Sequence, residues 1–171
     1  EAVLYVSKSQ IVENSSSEDY GGIRICCGME AEIYNSTIAN NSSASDSGNG
    51  IALIGTAGSL ILKNSILWND GEKEIIANYM GLPPWDANIE YSIIKNGLNG
   101  IDNQGNHNIT WGQGNISNDP LLDGNYALGT GSPAIDSGHP HPWFIDHDDT
   151  RNDMGSSGGS GINVSTTELN L

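Results

Sequence analysis

Ala31–Asn41, AEIYNSTIANN, decides the fold because it recurs. Leu4–Asn14 (LYVSKSQIVEN), Leu60–Asp70 (LILKNSILWND) and Ala87–Gly97 (ANIEYSIIKNG) superpose on it through Ser9, Ser36, Ser65 and Ser92, at intervals of 27, 29 and 27 residues. Two residues after each serine stands Ile11, Ile38, Leu67 or Ile94; three before it stands Val6, Ile33, Leu62 or Ile89. Self-similarity at such a period is the signature of a solenoid. Apolar residues at −5 and −3 with mixed ones between them have a period of two, so each copy opens with a strand buried on one face. The next apolar position falls beyond a tight bend at Lys8, Asn35, Asn64 or Tyr91. Asparagine tolerates left-handed backbone geometry there. The reading makes Asn35, Asn64, Ser36 and Ser65 a structural corner ladder, with the asparagines hydrogen-bonding up and down the stack.

A third strand per turn lies in the gaps. Gly22-Ile23-Arg24-Ile25 and Gly50-Ile51-Ala52-Leu53 are 28 residues apart, and Glu74-Ile75-Ile76 is a weaker third copy. Three short strands per turn of about 28 residues define an all-β parallel β-helix, expected here with four to five turns. Residues 1–119 form the turns, 120–155 a C-terminal segment that closes the end of the stack, with Trp143 and Phe144 as plugs, and 156–171 a Gly/Ser linker and tail. The tail, INVSTTELNL, has strand-like content and suits docking on a sheet edge. The chain leads straight into strand residues Val3–Val6. A β-helix that starts so abruptly has an unpaired edge, so the reading expects either a mature or cut fragment of a longer protein or a unit whose first turn stacks on more of the same polypeptide or on another copy.

The period, the Asn-Ser corners and the Gly-Ile strands resemble right-handed parallel β-helix proteins, the group that includes pectate-lyase-like enzymes and many bacterial surface proteins. The C-terminal part carries a more specific resemblance. Gly114–Leu122 (GNISNDPLL), Asn125–Leu128 (NYAL), Gly131–Gly138 (GSPAIDSG) and Asp153-Met154-Gly155 follow in that order. The series is similar to the closing segment of secreted bacterial β-helix proteins that precede a cell-surface anchor. Asp149-Thr150 before Arg151 and Ser156-Ser157 after Gly155 depart from that family's usual residues. The resemblance implies a right-handed coil and an extracellular or cell-surface location.

The composition of the 171 residues narrows the partners. Six basic residues against 21 acidic ones give a net charge of −15. Nucleic acid is excluded, since phosphate binding needs clustered Lys and Arg, and no stretch is long and apolar enough for a membrane span. A polyanionic glycan is repelled unless cations bridge it. One Phe and 22 Gly fit a narrow interior lined by Ile, Leu, Val and Ala.

Four groups of residues are candidates for chemistry. Asp146, Asp148, Asp149 and Asp153 offer several oxygens at short spacing, which suits calcium, and His147, His139 and His141 stand nearby. The alternative is a solvated turn, or one paired with Arg151. Trp68, Trp85 and Tyr34 are the aromatics expected to stack on sugar rings, Trp68 foremost because it follows the inward Leu67; packing beneath the 70–86 insertion is its other reading. The resemblance to pectate-lyase-like enzymes implies outward catalytic bases, for which Arg24 and Lys63 are weak candidates: no acid stands beside Arg24, and Ala52 takes its place one turn on. Adjacent Cys26 and Cys27 point to opposite strand faces, which favours reduced thiols over a strained vicinal disulfide.

The function expected from these features is a non-catalytic extracellular β-helix module of a bacterial secreted or cell-surface protein. It is a structural, adhesive or self-assembling filament unit that binds an extracellular glycan or associates with its own kind, end to end or through its tail. The alternative is a calcium-dependent polysaccharide lyase, another carbohydrate-active β-helix enzyme, or a fragment of one.

Overall fold

A computed structural model describes residues 2–45, 48–55, 58–78, 83–105 and 107–159. Three parallel sheets wrap around one apolar interior, and a fourth, two-stranded one pairs Ser15–Ser16 with Ser42–Ser43. The first contains Val3–Ser7, Glu30–Tyr34, Ser59–Lys63, Asp86–Glu90 and Asn108–Trp111. The second contains Gln10–Val12, Thr37–Ala39, Ile66–Trp68 and Ile93–Ile94, and Ile116 bridges onto Ile93. The third contains Ile23–Cys26, Ile51–Ile54, Ile75–Asn78 and Ile101–Asn103. The chain is therefore an all-β parallel β-helix. Its coils advance by 27, 29 and 27 residues along the first sheet (30−3, 59−30, 86−59) and then by 22 (108−86). Three full coils and one shortened coil replace the four to five turns expected, because the Gly- and Asn-rich stretch after Gly97 closes its circuit early.

Register follows the period of two. The inward columns of the first sheet run Leu4, Ala31, Leu60, Ala87, Ile109 and Val6, Ile33, Leu62, Ile89, Trp111. A slip of one residue would turn every one of these side chains to solvent. Ile33, Leu62 and Ile89 are fully buried. Tight coil-to-coil approach explains the glycine that opens the third strand. A Cβ on Gly22 would lie 2.4 Å from the Gly50 carbonyl oxygen, so no other residue fits without moving the backbone.

The first corner is as the sequence requires. Lys8, Asn35, Asn64 and Tyr91 all adopt left-handed geometry, with φ of 48°, 44°, 53° and 47°. That turn leaves the following amide without a strand partner, and the serines supply one. The amide of Ser9 donates to Ser36 Oγ (3.3 Å), that of Ser36 to Ser65 Oγ (3.2 Å) and that of Ser65 to Ser92 Oγ (3.2 Å). The amide of Ser92 donates to Asn115 Oδ1 (3.0 Å). Each hydroxyl donates in turn to the carbonyl two residues earlier, as Ser65 does to Lys63 (3.0 Å). Ser36, Ser65 and Ser92 are fully buried, so water cannot replace these bonds.

Ser65→Ala strips the buried Ser36 amide of its acceptor and should lower the unfolding free energy by about 1–3 kcal/mol. Ser9→Ala, at the half-buried first coil, should cost less than about 1 kcal/mol. Denaturant midpoints of the two variants check the difference; equal losses would show that the ladder does not hold the coils.

Candidate functional site

The second corner, after the second sheet, carries a ladder of asparagines that ends on a carboxylate. The amide and Nδ2 of Asn14 donate to Asn41 Oδ1 (2.9 and 2.8 Å), and those of Asn41 to Asn69 Oδ1 (2.9 and 2.8 Å). Asn69 then donates its amide to Glu74 Oε1 (2.9 Å) and its Nδ2 to Glu74 Oε2 (2.6 Å). Both of the last two side chains are buried. Burial pushes the Glu74 carboxyl up to about 6, against the Asn69 hydrogen bonds and the Lys95 charge that pull it down. Lys95 Nζ donates to the Asn69 carbonyl at 2.6 Å. This ladder was legible as Asn14, Asn41 and Asn69 at intervals of 27 and 28, a repeat hidden behind the stronger serine signal.

That clamp fixes the loop after Trp68, which sits half-buried at the end of Ile66–Trp68 between two clefts. One cleft, of about 550 Å³, is lined by Trp68, Glu72, Lys73, Lys95, Asn96 and Asn99. Its walls are tied together: Lys73 Nζ donates to the Asn99 carbonyl (2.7 Å) and Asn96 Nδ2 to the Glu72 carbonyl (3.1 Å). The other cleft, of about 370 Å³, runs from Trp68 past Glu13, Asn40, Asp119, Asp123 and Tyr126. The Tyr126 hydroxyl accepts from Asn40 Nδ2 (3.0 Å) and donates to Glu13 Oε1 (2.9 Å). Lys95 takes the place of Trp68 one period on (95−68 = 27), so the sequence sets these two side by side, whereas Glu72 and Lys73 lie in the insertion and carry no repeat signal.

The far wall of the second cleft belongs to the C-terminal segment, which lies along the flank of the stack. Ala134 and Met154 are buried against Ile66 and Ile93 on the outer face of the second sheet, with Trp68, Tyr91, Ile116, Leu122 and Leu128 around them. The segment leaves the last coil at Ile116 and returns to the first, where Gln10 Nε2 donates to the Asn125 carbonyl (3.2 Å) and Lys8 Nζ to that of Gly159. Gly155 crosses Ile66 so closely, at φ 96°, that a Cβ would lie 2.7 Å from Ile66 Cδ1. Trp143, expected as a plug, is 67% exposed.

The same segment takes up the corner asparagines. Asn35 Nδ2 donates to Asn152 Oδ1 (3.0 Å), and Asn64 Oδ1 accepts from the His139 amide (2.7 Å). They do not bond each other. Ser36 and Ser65 already join the coils at this corner, which leaves the neighbouring asparagines to face outward.

The remaining candidates are scattered. Tyr34 is half-buried on the first sheet, 5.9 Å from the Tyr5 ring, and burial with the Glu32 carboxylate pushes its phenol up to about 12. Trp85 is fully buried in the core, with its ring over Gly58, so it presents no surface to a ligand. The short stretch before Asp86 enters the coil too tightly to hold an exposed ring, and the Trp85 amide donates to His107 Nδ1 (3.0 Å). Residues 79–82 of that insertion lie outside the described residues, as does the tail from 160. Arg24 stands over the Tyr20 ring at 6.0 Å, with Ala52 beside it in register. Lys63 pairs with Glu90 at 3.0 Å.

Three of the four aspartates accept hydrogen bonds from backbone amides. Asp146 Oδ2 accepts from the Asp153 amide (2.7 Å), and its Oδ1 from that of Gly159. Asp148 Oδ1 accepts from the Thr150 amide and hydroxyl (3.1 and 2.7 Å), which hold its carboxyl below the usual range. Asp153 Oδ1 accepts from the Asp136 amide (2.8 Å). Asp149 sits exposed at φ 64°. Arg151 donates to the carbonyls of Gly138 and Ser137 (2.7 and 3.2 Å), not to these acids. Among the described residues, no three His, Cys, Asp or Glu side chains converge as a metal ion would require. Cys26 and Cys27 are both free thiols, the second exposed in a turn at φ 66°.

No family model, curated protein or solved structure matches this chain.

The Glu74 carboxyl sets a pH dependence. Its folded value of about 6 lies above the ordinary 4.5, so between these values the folded chain holds a proton that the unfolded chain has released. Stability from this group is therefore present below that window and lost as pH rises through it, by about 2 kcal/mol. Wild type should lose that amount relative to Glu74→Gln between pH 4 and 7 in denaturant titrations, whereas parallel curves would contradict the assignment.

Proposed function

We propose that the chain is a non-catalytic extracellular β-helix module of a bacterial secreted or cell-surface protein, and that it binds a saccharide across Trp68. The observation that carries this reading is the position of Trp68 between two polar clefts, so that one ring borders both. Saccharide recognition needs an apolar face for the sugar ring and hydrogen-bonding groups for its hydroxyls. Trp68 offers the first. Asn96, Asn99, Glu72 and Lys73 on one side, and Asn40, Asp123 and Tyr126 on the other, offer the second. The lysines offset the acidity of the chain locally, so a neutral or sparsely charged glycan suits these clefts better than a densely anionic one.

The extracellular and bacterial parts of the reading rest on the resemblance of residues 114–155 to the closing segments of secreted β-helix proteins. The packing of that segment supports it: Ala134 of the SPAID stretch and Met154 of the DMG stretch are the two buried anchors. The module reading is supported by Lys63 and Arg24, the outward bases weighed for lyase chemistry. One is neutralised by Glu90 and the other is stacked on Tyr20.

Trp68→Ala should weaken retention on an immobilised neutral β-glucan by about tenfold or more, the loss of 1–2 kcal/mol of ring contact. Tyr34→Ala should leave it unchanged, and thermal melting should show both variants folded. Binding insensitive to Trp68, or shortening of the glucan or of polygalacturonate on incubation with calcium, would overturn the reading.

A further inference from the structure

We propose that the glycan held on Trp68 carries an isolated carboxylate, which enters the cleft of Lys73 and Lys95, while the sugar in the cleft of Tyr126 is uncharged. The inference rests on the saccharide reading of Trp68 and adds the charge pattern of the ligand. The chain has only six basic residues against 21 acidic ones, and four of the six are committed elsewhere. Lys63 pairs with Glu90 and Arg24 stacks on Tyr20. Lys8 donates to the Gly159 carbonyl, and Arg151 to those of Gly138 and Ser137. The other two, Lys73 and Lys95, meet in one cleft beside Trp68. Among the described residues Lys63–Glu90 is the sole ion pair, so neither cleft lysine is paired with an acid.

The fold sets both ammonium groups where a ligand on Trp68 would reach them. Leu67 pairs with Ile94, so Lys95 follows at the level of Trp68, one strand spacing of about 4.8 Å away. Its Nζ turns back to the carbonyl of Asn69 (2.6 Å), the residue after Trp68. Lys73 Nζ is held to the Asn99 carbonyl (2.7 Å) on the opposite wall. A carbonyl takes one of the three N–H donors of an ammonium group and leaves its charge in place. Two acids face the pair: Glu72, which lines the same cleft, and Glu74, buried beneath it and close enough to Lys95 to feel its charge. A ligand carboxylate presents one oxygen to each lysine and makes charge-assisted bonds that a sugar hydroxyl cannot match. The cleft across the ring is the reverse. Glu13, Asp119 and Asp123 line it, and no basic residue does. A second carboxylate there would meet three of its own sign, so the two clefts together select an acid on one side of Trp68 only.

Calorimetric titration of the whole chain with four ligands tests the pattern: cellotetraose, cellotetraose oxidised to a carboxylate at C6 of its non-reducing sugar, the same chain oxidised at C1 of its reducing sugar, and tetragalacturonate. One of the two singly acidic ligands should bind about tenfold or more tightly than neutral cellotetraose, and tetragalacturonate more weakly than that ligand. Lys73→Gln and Lys95→Gln should each cut the preference for acid over neutral to about threefold or less, as should high salt. Trp68→Ala should weaken the acidic and neutral ligands alike and leave their ratio in place. Melting curves check that each variant is folded, and Lys73, on the exposed loop, keeps the test open should Lys95→Gln disturb the Asn69 corner. Trp68-dependent binding with no preference for a single carboxylate overturns this inference and leaves the saccharide reading standing. A preference that survives both lysine changes, or tightest binding of tetragalacturonate, overturns it as well. Failure of all four ligands to bind overturns both readings.

Discussion

Everything in this protein depends on each coil lying in register on the one before it. Parallel strands alone fix that register loosely, because a β-helix coil has corners where the strand ladder is interrupted and amides lose their partners. Here both corners that follow the first two sheets are rebuilt from side chains. At one, a left-handed residue aims the next amide at the serine hydroxyl of the following coil. At the other, an asparagine side chain copies a peptide group, accepting from the amide and side chain below and donating to a carbonyl of the coil beneath. Asn41 and Asn69 do so through Ile11 and Ile38. The apolar columns then stack without offset, and Ile33 over Leu62 over Ile89 forms a continuous buried spine.

The clefts beside Trp68 are a by-product of how the second ladder ends. An asparagine ladder leaves its last donors needing an acceptor. Glu74 supplies both oxygens to Asn69 from five residues away, which pulls residues 70–73 into a tight excursion beside Trp68. A carboxylate in that position bears the cost of burial, visible in its raised pKa. In exchange the loop that carries Glu72 and Lys73 is fixed against the stack. The flanking C-terminal segment performs the same service on the other side, where Tyr126 bridges Glu13 and Asn40. The Trp68 ring thus lies between two walls that are each tied together by hydrogen bonds.

The sequence shows the coil plainly, because residues at one period must do the same job in every turn. Ser9, Ser36, Ser65 and Ser92 are aligned by eye, and the left-handed corners follow from the residues beside them. What it hides are contacts between parts with no shared period. Asn35 and Asn64 read as a stacked pair because they recur, yet their partners, Asn152 and His139, stand more than seventy residues away in the chain. Trp85 reads as a ligand-facing aromatic because polar and proline residues surround it, whereas the space above Gly58 draws it into the core. The C-terminal segment reads as an end cap because it follows the last coil. Its route back to Lys8 and Gln10 is set by an apolar outer column, Ile66 and Ile93, which the sequence shows only as two isoleucines among many. Of the charged walls of the Trp68 cleft, only Lys95, one period after Trp68, is placed by the repeat; Glu72 and Lys73 are not.

Amide hydrogen exchange resolved by residue is the most direct measurement of the central claim, that corner side chains lock the coils in register. The amides of Ser36 and Ser65 lie outside the strands and have no backbone acceptor, so their only protection is the hydroxyl of the next coil. They should exchange as slowly as the core-strand amides of Ile33 and Leu62, with protection falling toward Ser9 at the first coil. Exchange of the Ser36 and Ser65 amides at the rate of exposed turns such as Gly131 would contradict the account.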